Sequence, residues 1–186
     1  MSLAHIILGL LQQQAQTGYD LKTSCFDQCI AHLWSADQAQ IYRTLDKLVA
    51  QGWVTCSVEI QYDRPNRKVY SVTAAGASEL NRWLQSAQAL PTIREPLLAQ
   101  LFFAAQLPNA AVVQLLEHQL AAHNKKLVEC QTIELQLPML GDAAATREQI
   151  LQRLVLELVL QREQTYIDWL KRAIDIVNNQ EVYETT

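Results

Sequence analysis

The sequence around Gly52 changes its hydrophobic period. Residues 37–52 are DQAQIYRTLDKLVAQG and residues 53–60 are WVTCSVEI. In the first segment apolar side chains recur with helical spacing, which predicts an amphipathic helix that begins after Ser35 or Asp37 and ends at Gly52. In the second segment apolar and polar residues alternate, which predicts a half-buried strand. A helix followed directly by a strand is therefore expected.

The segments on either side extend this pattern. Turn-forming residues occupy positions 63–66 and alternation resumes over 69–73, so the strand is predicted to be half of a β-hairpin. Two helices are predicted upstream, over 2–11 and 19–30, the second with Cys25 and Cys29 facing inward. A fourth helix follows Thr73 and Gly76. Three helices and a two-stranded hairpin, in this order, are typical of a winged helix-turn-helix, which we place at residues 1–90.

The C-terminal half is predicted to be helical throughout, which makes the chain mainly α. Helices are expected over 97–107, from a cap at Asn109 to about Leu137, and over about 143–178, where Gly and Pro are absent. A helix of about 35 residues would span roughly 50 Å. One protomer of this size cannot easily bury it, so we predict a long-helix dimerisation domain at 91–180 and a flexible tail at 181–186.

The dimer interface is assigned to apolar side chains of this last helix. They are Leu151, Leu154, Leu158, Tyr166, Trp169 and Ile174.

Composition and charge narrow the function further. The chain is 49% apolar and 18% charged, which excludes a disordered protein. Its formal charge of −4 comes entirely from residues 87–186, because residues 1–86 carry seven basic and seven acidic side chains. A polyanion would therefore bind through a local cluster in the first half. The cysteine spacing and the lack of a signal peptide or an apolar membrane span predict a cytoplasmic protein.

Two groups of residues suit DNA. The exposed face of the helix after Asp37 would carry amide, hydroxyl and cationic groups that bond base edges or phosphates, and the hairpin tip carries three cations in five residues. The recognition-helix candidates are Gln38, Gln40, Tyr42, Arg43 and Lys47. The wing candidates are Arg64, Asn66, Arg67 and Lys68. Together the two groups predict binding to double-stranded DNA.

Three blocks of the sequence resemble the PadR-like transcriptional regulators. IILGLL at 6–11 with TGYDL at 17–21 resembles the first two helices of the family, and IYRTLDKL at 41–48 with GWV at 52–54 resembles its recognition helix. RPNRKVYSVTAAG at 64–76 is similar to its wing and exit turn. The C-terminal half resembles the larger, virulence-regulator-like dimerisation type.

The resemblance implies a homodimeric repressor that binds a palindromic operator and, in some members, releases it when a small molecule binds. Gln40 stands where many members have Gly, and Arg43 where many have Pro, so the bases recognised are expected to differ. A flat cavity between protomers for a small aromatic effector is assigned to Trp34, Trp83 and Trp169, although tryptophans in such positions more often fill a core or an interface.

Other functions have weaker support. No catalytic motif and no cluster of residues with metal-ligand spacing occurs in the sequence, so we expect no enzymatic activity, no cofactor and no metal. The alternative function is that of a helical adaptor whose winged helix binds protein. The cationic hairpin tip disfavours the adaptor, because protein binding alone does not require it.

Overall fold

The structure, a computed structural model, describes residues 2–60, 66–92, 94–139, 141–142 and 144–179. Arg64 and the predicted tail at 181–186 lie outside these residues. The chain divides into two compact units, Met1–Leu90 and Pro91–Thr186. The described part is mostly helical, as the sequence predicts.

The first unit begins with helices. They are α1 (Ser2–Gln13), α2 (Gly18–Asp20), a π-helical segment (Leu21–Cys29) that continues α2, and α3 (Gln38–Ala50). Asp37 caps α3 in a reciprocal arrangement: its carboxylate accepts from the Gln40 backbone N–H at 2.7 Å, and the Gln40 side chain accepts from the Asp37 N–H at 3.1 Å. The cap explains why α3 begins where the sequence predicts.

The wing is an antiparallel pair of β2 (Val54–Glu59) and β3 (Arg67–Val72), registered from Val54 opposite Val72 to Glu59 opposite Arg67. A third strand, β1 (Gln16–Thr17), pairs with the other edge of β3, so the sheet has three strands in the order β1-β3-β2. The prediction of a two-stranded hairpin missed β1, because two residues are too few to show an alternating pattern.

Helix α4 (Ala74–Leu84) closes the first unit. The Thr73 hydroxyl caps it by accepting from the Gly76 N–H at 3.1 Å. The core of this unit joins α1, the π-helical segment, α3, the sheet and α4. Its fully buried members are Ile7, Leu8, Leu21, Ile41, Leu45 and Leu48. Cys25 is buried as predicted, but Cys29 is exposed, because the wider π-helical turn rotates it off the inward face.

The second unit is built on two long helices. Its elements are α5 (Pro96–Phe102), a 3₁₀ turn (Ala104–Gln106), α6 (Asn109–Glu134) and α7 (Arg147–Asn179). Helix α7 has 33 residues, so it spans about 50 Å. It begins later than the absence of Gly and Pro suggested. Asn109 does not cap α6: its amide donates to the Val177 carbonyl of α7 at 3.0 Å and so ties the two helices together.

Candidate nucleic-acid interface

Helix α3 presents a polar face opposite its buried one. Ile41, Leu45 and Leu48 are fully buried, and Gln38, Arg43 and Lys47 are exposed on other sides of the helix. The buried stripe anchors the helix, so its exposed side chains project from a fixed backbone. This is the arrangement that reading base edges requires, since a docked helix must be rigid to place its side chains.

Two of the predicted recognition residues have other contacts within the unit. The Gln40 side-chain oxygen accepts from the Asp37 backbone, so the Gln40 amide is folded back onto the cap. To pair with adenine through both amide atoms it would have to leave the cap or share that oxygen. Tyr42 is half-buried and packs on the core, with its ring against Gly18. A Cβ at Gly18 would lie 2.6 Å from the Tyr42 Cε1 atom, so a larger residue there would require the Tyr42 ring to shift.

A surface groove brings part of the polar face together. It has a volume of about 520 Å³, and Gln40, Arg43 and Lys47 line it. Its other lining residues are Leu3, Trp34, Ser35 and Thr44. Thr44 lies one turn after Gln40 and its hydroxyl donates to the Gln40 carbonyl at 2.7 Å.

The wing exposes the described members of its predicted set, Asn66, Arg67 and Lys68. Lys68 lies opposite Val58 on β2. Arg67 does not project freely, because its Nη2 donates to the Asp20 Oδ2 at 3.0 Å. This ion pair connects the wing to α2, and the sequence gives no sign of it because the two residues are 47 positions apart.

The predicted effector tryptophans fall in different units. Trp34 borders a cavity of about 500 Å³ beneath α3, which Trp53, Lys47 and Arg82 also line. Trp83 stacks on His5 with a centroid distance of 4.8 Å and has a buried Nε1 for which no hydrogen-bond partner is found within the described part of the chain. Trp169 lies in the second unit and meets Tyr166 edge-on at 5.8 Å. The sequence reasoning did not single out Trp53.

The cavity beneath α3 is lined by a carboxylate, Glu79, which is paired with neighbouring side chains. Glu79 accepts from Arg82 at 2.6 and 2.8 Å and lies 3.1 Å from His5 Nε2. The hydrogen bonds from Arg82 and His5 lower the Glu79 pKa to about 2. Glu79 is therefore ionised at neutral pH and its charge is compensated, while Lys47, an exposed residue, lines the same cavity.

The predicted dimer residues separate into two groups on α7. Leu151, Leu154 and Leu158 are about half exposed, and Val155, at 39%, extends the same stripe. Tyr166, Trp169 and Ile174 are partly buried and pack against the core that α5, α6 and α7 form within one protomer. The first group is thus an apolar surface of the protomer, whereas the second group already has partners in its own chain.

The α6–α7 pair also buries the carboxylate of a charge cluster. Glu163 is 5% exposed and contacts His123 Nδ1 and Lys126 Nζ at 2.6 Å each. The His123 ring stacks on Tyr166 at 4.3 Å, and the Tyr166 hydroxyl donates to Glu95. Burial, followed by the hydrogen bond to Glu95, raises the Tyr166 pKa to about 12, so its hydroxyl stays protonated and remains a donor.

Neither a metal centre nor a membrane span is found in the part of the chain that the structure describes. No three His, Cys, Asp or Glu side chains cluster there as metal ligands would. Among the same residues, each helix is too short or too polar for a bilayer core.

Comparison with known sequences matches both units to family models. The description "Transcriptional regulator PadR-like family" matches residues 7–82, and "Virulence activator alpha C-term" matches residues 93–178. A similar curated protein is the negative transcriptional regulator PadR of Bacillus subtilis (strain 168). It is 30% identical over 178 residues, which cover 95% of this chain and 97% of the relative.

Comparison with solved structures gives the same result over the whole chain. B. subtilis PadR in complex with operator DNA superposes with a TM-score of 0.80 at 30% identity, covering 95% of this chain and 99% of that one. The same protein in complex with p-coumaric acid gives 0.75 at 30% identity, covering 96% and 100%. The Vibrio cholerae virulence activator AphA gives 0.75 at 31% identity, covering 95% and 98%.

Proposed function

Because the chain belongs to the PadR-like family of transcriptional regulators, we propose that it represses transcription as a homodimer bound to a palindromic operator. In this proposal residues 1–90 bind DNA and residues 91–180 form the dimer. Each α3 enters a major groove, the two grooves lie about 34 Å apart along the duplex, and the wings contact the flanking backbone.

The observation that carries the proposal is the exposed face of α3. Arg43 and Lys47 project from a helix whose opposite side is fully buried, and Gln38 lies at its first turn. We assign base contacts to Gln38 and Arg43, because amide and guanidinium groups match the edges of adenine and guanine. Lys47 and the wing residue Lys68 are assigned to phosphate. Gln40 and Tyr42 are assigned to positioning α3, given their contacts within the unit.

The dimer contact is proposed to involve the exposed stripe on α7. Leu151, Leu154, Val155 and Leu158 follow helical i, i+3, i+4, i+7 spacing, so they form one apolar strip along the helix. A strip of this kind on a soluble protein is typical of a protein interface, and a second copy of α7 would cover it symmetrically. Tyr166, Trp169 and Ile174 would then support the interface from within each protomer.

A small aromatic effector is proposed to release the DNA. The support is the solved complex of B. subtilis PadR with p-coumaric acid and the cavity that Trp34 and Trp53 line beneath α3. An aromatic acid in this cavity would lie beside Lys47 and would compete with phosphate for its ammonium group. Roles for Trp83 and Trp169 in effector binding stay predictions from the sequence, as do the cytoplasmic location and the absence of enzymatic activity.

The proposal is tested by fluorescence anisotropy with the DNA upstream of the protein's own coding sequence and a scrambled fragment of equal length. We expect selective binding at two chains per site, with affinity that falls steeply as salt rises, because phosphate contacts release counterions. Adding p-coumaric acid is expected to weaken operator binding in the parent chain and less so in a Trp34→Ala variant.

Two results would contradict the proposal. Equal affinity for the two fragments at every salt concentration would contradict selective binding to this DNA. The absence of binding to both at low salt would leave two readings, a DNA binder that requires a ligand and the adaptor function. Insensitivity to p-coumaric acid would remove only the effector assignment and would leave DNA binding intact.

A further inference from the structure

The Arg67–Asp20 ion pair engages one cation of the wing with a carboxylate of the same chain. Arg67 is the first residue of β3 and lies where the β3 edge continues past β1, whose register ends with Thr17 opposite Val69. The guanidinium reaches from there to Asp20 at 3.0 Å. Both side chains are partly exposed, at 46% and 37%, so the pair lies at the surface from which the wing projects.

Asp20 is held in place by its own contacts. The Thr17 hydroxyl donates to Asp20 Oδ2 at 2.7 Å, and the Asp20 backbone N–H donates back to the Thr17 hydroxyl at 3.0 Å. This reciprocal cap at the start of α2 holds the Asp20 carboxylate in place independently of its contact with Arg67. The oxygen that accepts from Thr17 is the same one that accepts from Arg67, so the carboxylate and the wing are connected through a single atom.

A second carboxylate reinforces the local charge balance. Glu59 lies directly opposite Arg67 in the β2–β3 register, and both line a surface cavity of about 390 Å³ with Asp20. Two acidic side chains therefore line the same cavity as the Arg67 guanidinium, and one of them, Asp20, is paired with it. A DNA phosphate that approaches Arg67 must compete with Asp20 for its donors and overcome repulsion from both carboxylates. Lys68, the next residue, has no ion pair within 4.0 Å among the residues that the structure describes.

We propose that Asp20 is a positioning residue of the wing. It keeps the Arg67 guanidinium paired with its own carboxylate, so that Lys68 and not Arg67 supplies the phosphate contact of β3. The inference rests on the proposed DNA-binding function and refines the wing assigned from the sequence. Asp20 then lowers the affinity for DNA, because it withholds one cation from the backbone. Neutralising Asp20 would release Arg67 to phosphate.

The test is a double-mutant cycle with the full-length protein, read as the slope of log affinity against log salt concentration on the scrambled fragment. Log affinity falls as log salt concentration rises, and the slope means the steepness of that fall. One phosphate contact contributes about 0.9 to it. We expect Lys68→Ala to lower the slope by about this amount, and Arg67→Ala in the parent chain to change it by much less. Asp20→Asn should raise the slope by about 0.9, and Arg67→Ala in the Asp20→Asn background should remove that gain.

The variants are chosen so that folding does not decide the result. Asparagine keeps an oxygen that accepts from Thr17, so Asp20→Asn removes the charge and leaves the cap of α2. Glu59→Gln is the matched control, because it neutralises the other carboxylate of the cavity without touching the observed ion pair. Thermal unfolding of each variant should stay close to that of the parent.

The outcomes separate this inference from the function on which it rests. A parent chain that shows no salt-dependent DNA binding would refute the proposed function itself. With binding present, a slope that falls by about 0.9 for Arg67→Ala in the parent chain would overturn the inference, because Arg67 would already contact phosphate. Equal responses to Asp20→Asn and Glu59→Gln would overturn the assignment to Asp20.

Discussion

Arg43 is the residue whose chemistry most directly bears on sequence recognition. It is exposed on α3 and lines the groove with Gln40 and Lys47. Its guanidinium can pair with both acceptors on the major-groove edge of guanine, which a phosphate-binding lysine does not do. Of the described cations in the first unit, it is therefore the one we assign to discrimination among bases.

Arg43→Ala is expected to reduce the preference for operator over scrambled DNA by about 1–3 kcal/mol. Anisotropy titrations of both fragments at one salt concentration measure this preference, with Lys68→Ala as the control that weakens both fragments alike. Equal losses on the two fragments for Arg43→Ala would assign Arg43 to phosphate instead.

Glu163 is the buried charged residue of the second unit. Burial opposes its ionisation, but the hydrogen bonds from Lys126 and His123 outweigh burial and lower its pKa below the usual value of 4.5. A carboxyl whose pKa is lower in the folded state stabilises the fold above the unfolded-state pKa. That contribution is lost as the pH falls below about 4.5 toward the folded-state pKa.

Glu163→Gln is expected to lower the free energy of unfolding by about 1–3 kcal/mol at pH 7, because it removes charge-assisted hydrogen bonds. The difference from the parent should shrink as the pH falls below 4.5. Urea unfolding at several pH values measures it, and Glu129→Gln, an exposed carboxylate on α6, is the control. A difference that stays constant with pH would contradict the lowered pKa.

At the scale of elements, α4 packs closely against the sheet at Gly76. Of the glycines, Gly76 has the closest approach to the backbone of another segment. A Cβ added to Gly76 would lie 2.1 Å from the Trp53 carbonyl oxygen. This carbonyl cannot retreat freely, because it accepts from the Thr73 N–H at 2.9 Å. Gly9 in α1 is the opposite case, since a Cβ there would meet nothing within 4 Å.

Gly76→Ala is therefore expected to destabilise the protein by about 2–3 kcal/mol through overpacking. Gly9→Ala should be neutral or stabilising by up to about 1 kcal/mol, because alanine favours helix. Thermal unfolding of the two variants measures the contrast. A Gly76→Ala variant as stable as Gly9→Ala would show that α4 can shift away from the sheet.

The elements also show which parts of the fold local patterns predict. Helix α3 and the β2–β3 hairpin were predicted correctly, because a cap, a helical stripe and an alternating strand are all visible within a few residues. The π-helical segment after Asp20 and the short β1 were not. Their backbone conformations depend on packing against α1 and on the free edge of β3, and neither is a property of their own residues.

At the scale of the whole molecule, the apolar strip on α7 leads to a prediction about assembly. Leu154→Asp with Leu158→Asp places two charges on the strip, and burying them in a helix contact would be costly. We expect light scattering to give a mass near the 21.1 kDa of one chain for this variant and about twice that for the parent. Gln164→Asp, at an exposed polar position on another side of the same helix, should keep the parent's mass.

A variant that stays dimeric would move the contact away from Leu154 and Leu158. A dimer that forms through another surface would still agree with the family. The exposed leucines of α7 would then have no explanation as an interface. Circular dichroism on the same samples checks that the helices remain folded.

Periodic hydrophobicity, capping residues and the motif blocks were enough to predict the mainly α fold, the winged helix and the PadR-like family, and all three are confirmed. These features are local, so they are visible in a linear sequence. The capping contact of Gln40 could also have been predicted, because Gln40 lies three residues after Asp37, the spacing of a capping box. The sequence analysis instead predicted that the Gln40 side chain binds DNA.

Only the tertiary structure decided which of the candidate side chains are available. Arg67 meets Asp20 across 47 residues and Glu163 meets His123 across 40. Tyr166 and Trp169 are taken up by the core of their own protomer. Such pairings arise where the packing of helices and strands brings distant positions within a few ångströms. The energy of an ion pair depends on that distance and on burial, which residue order does not specify.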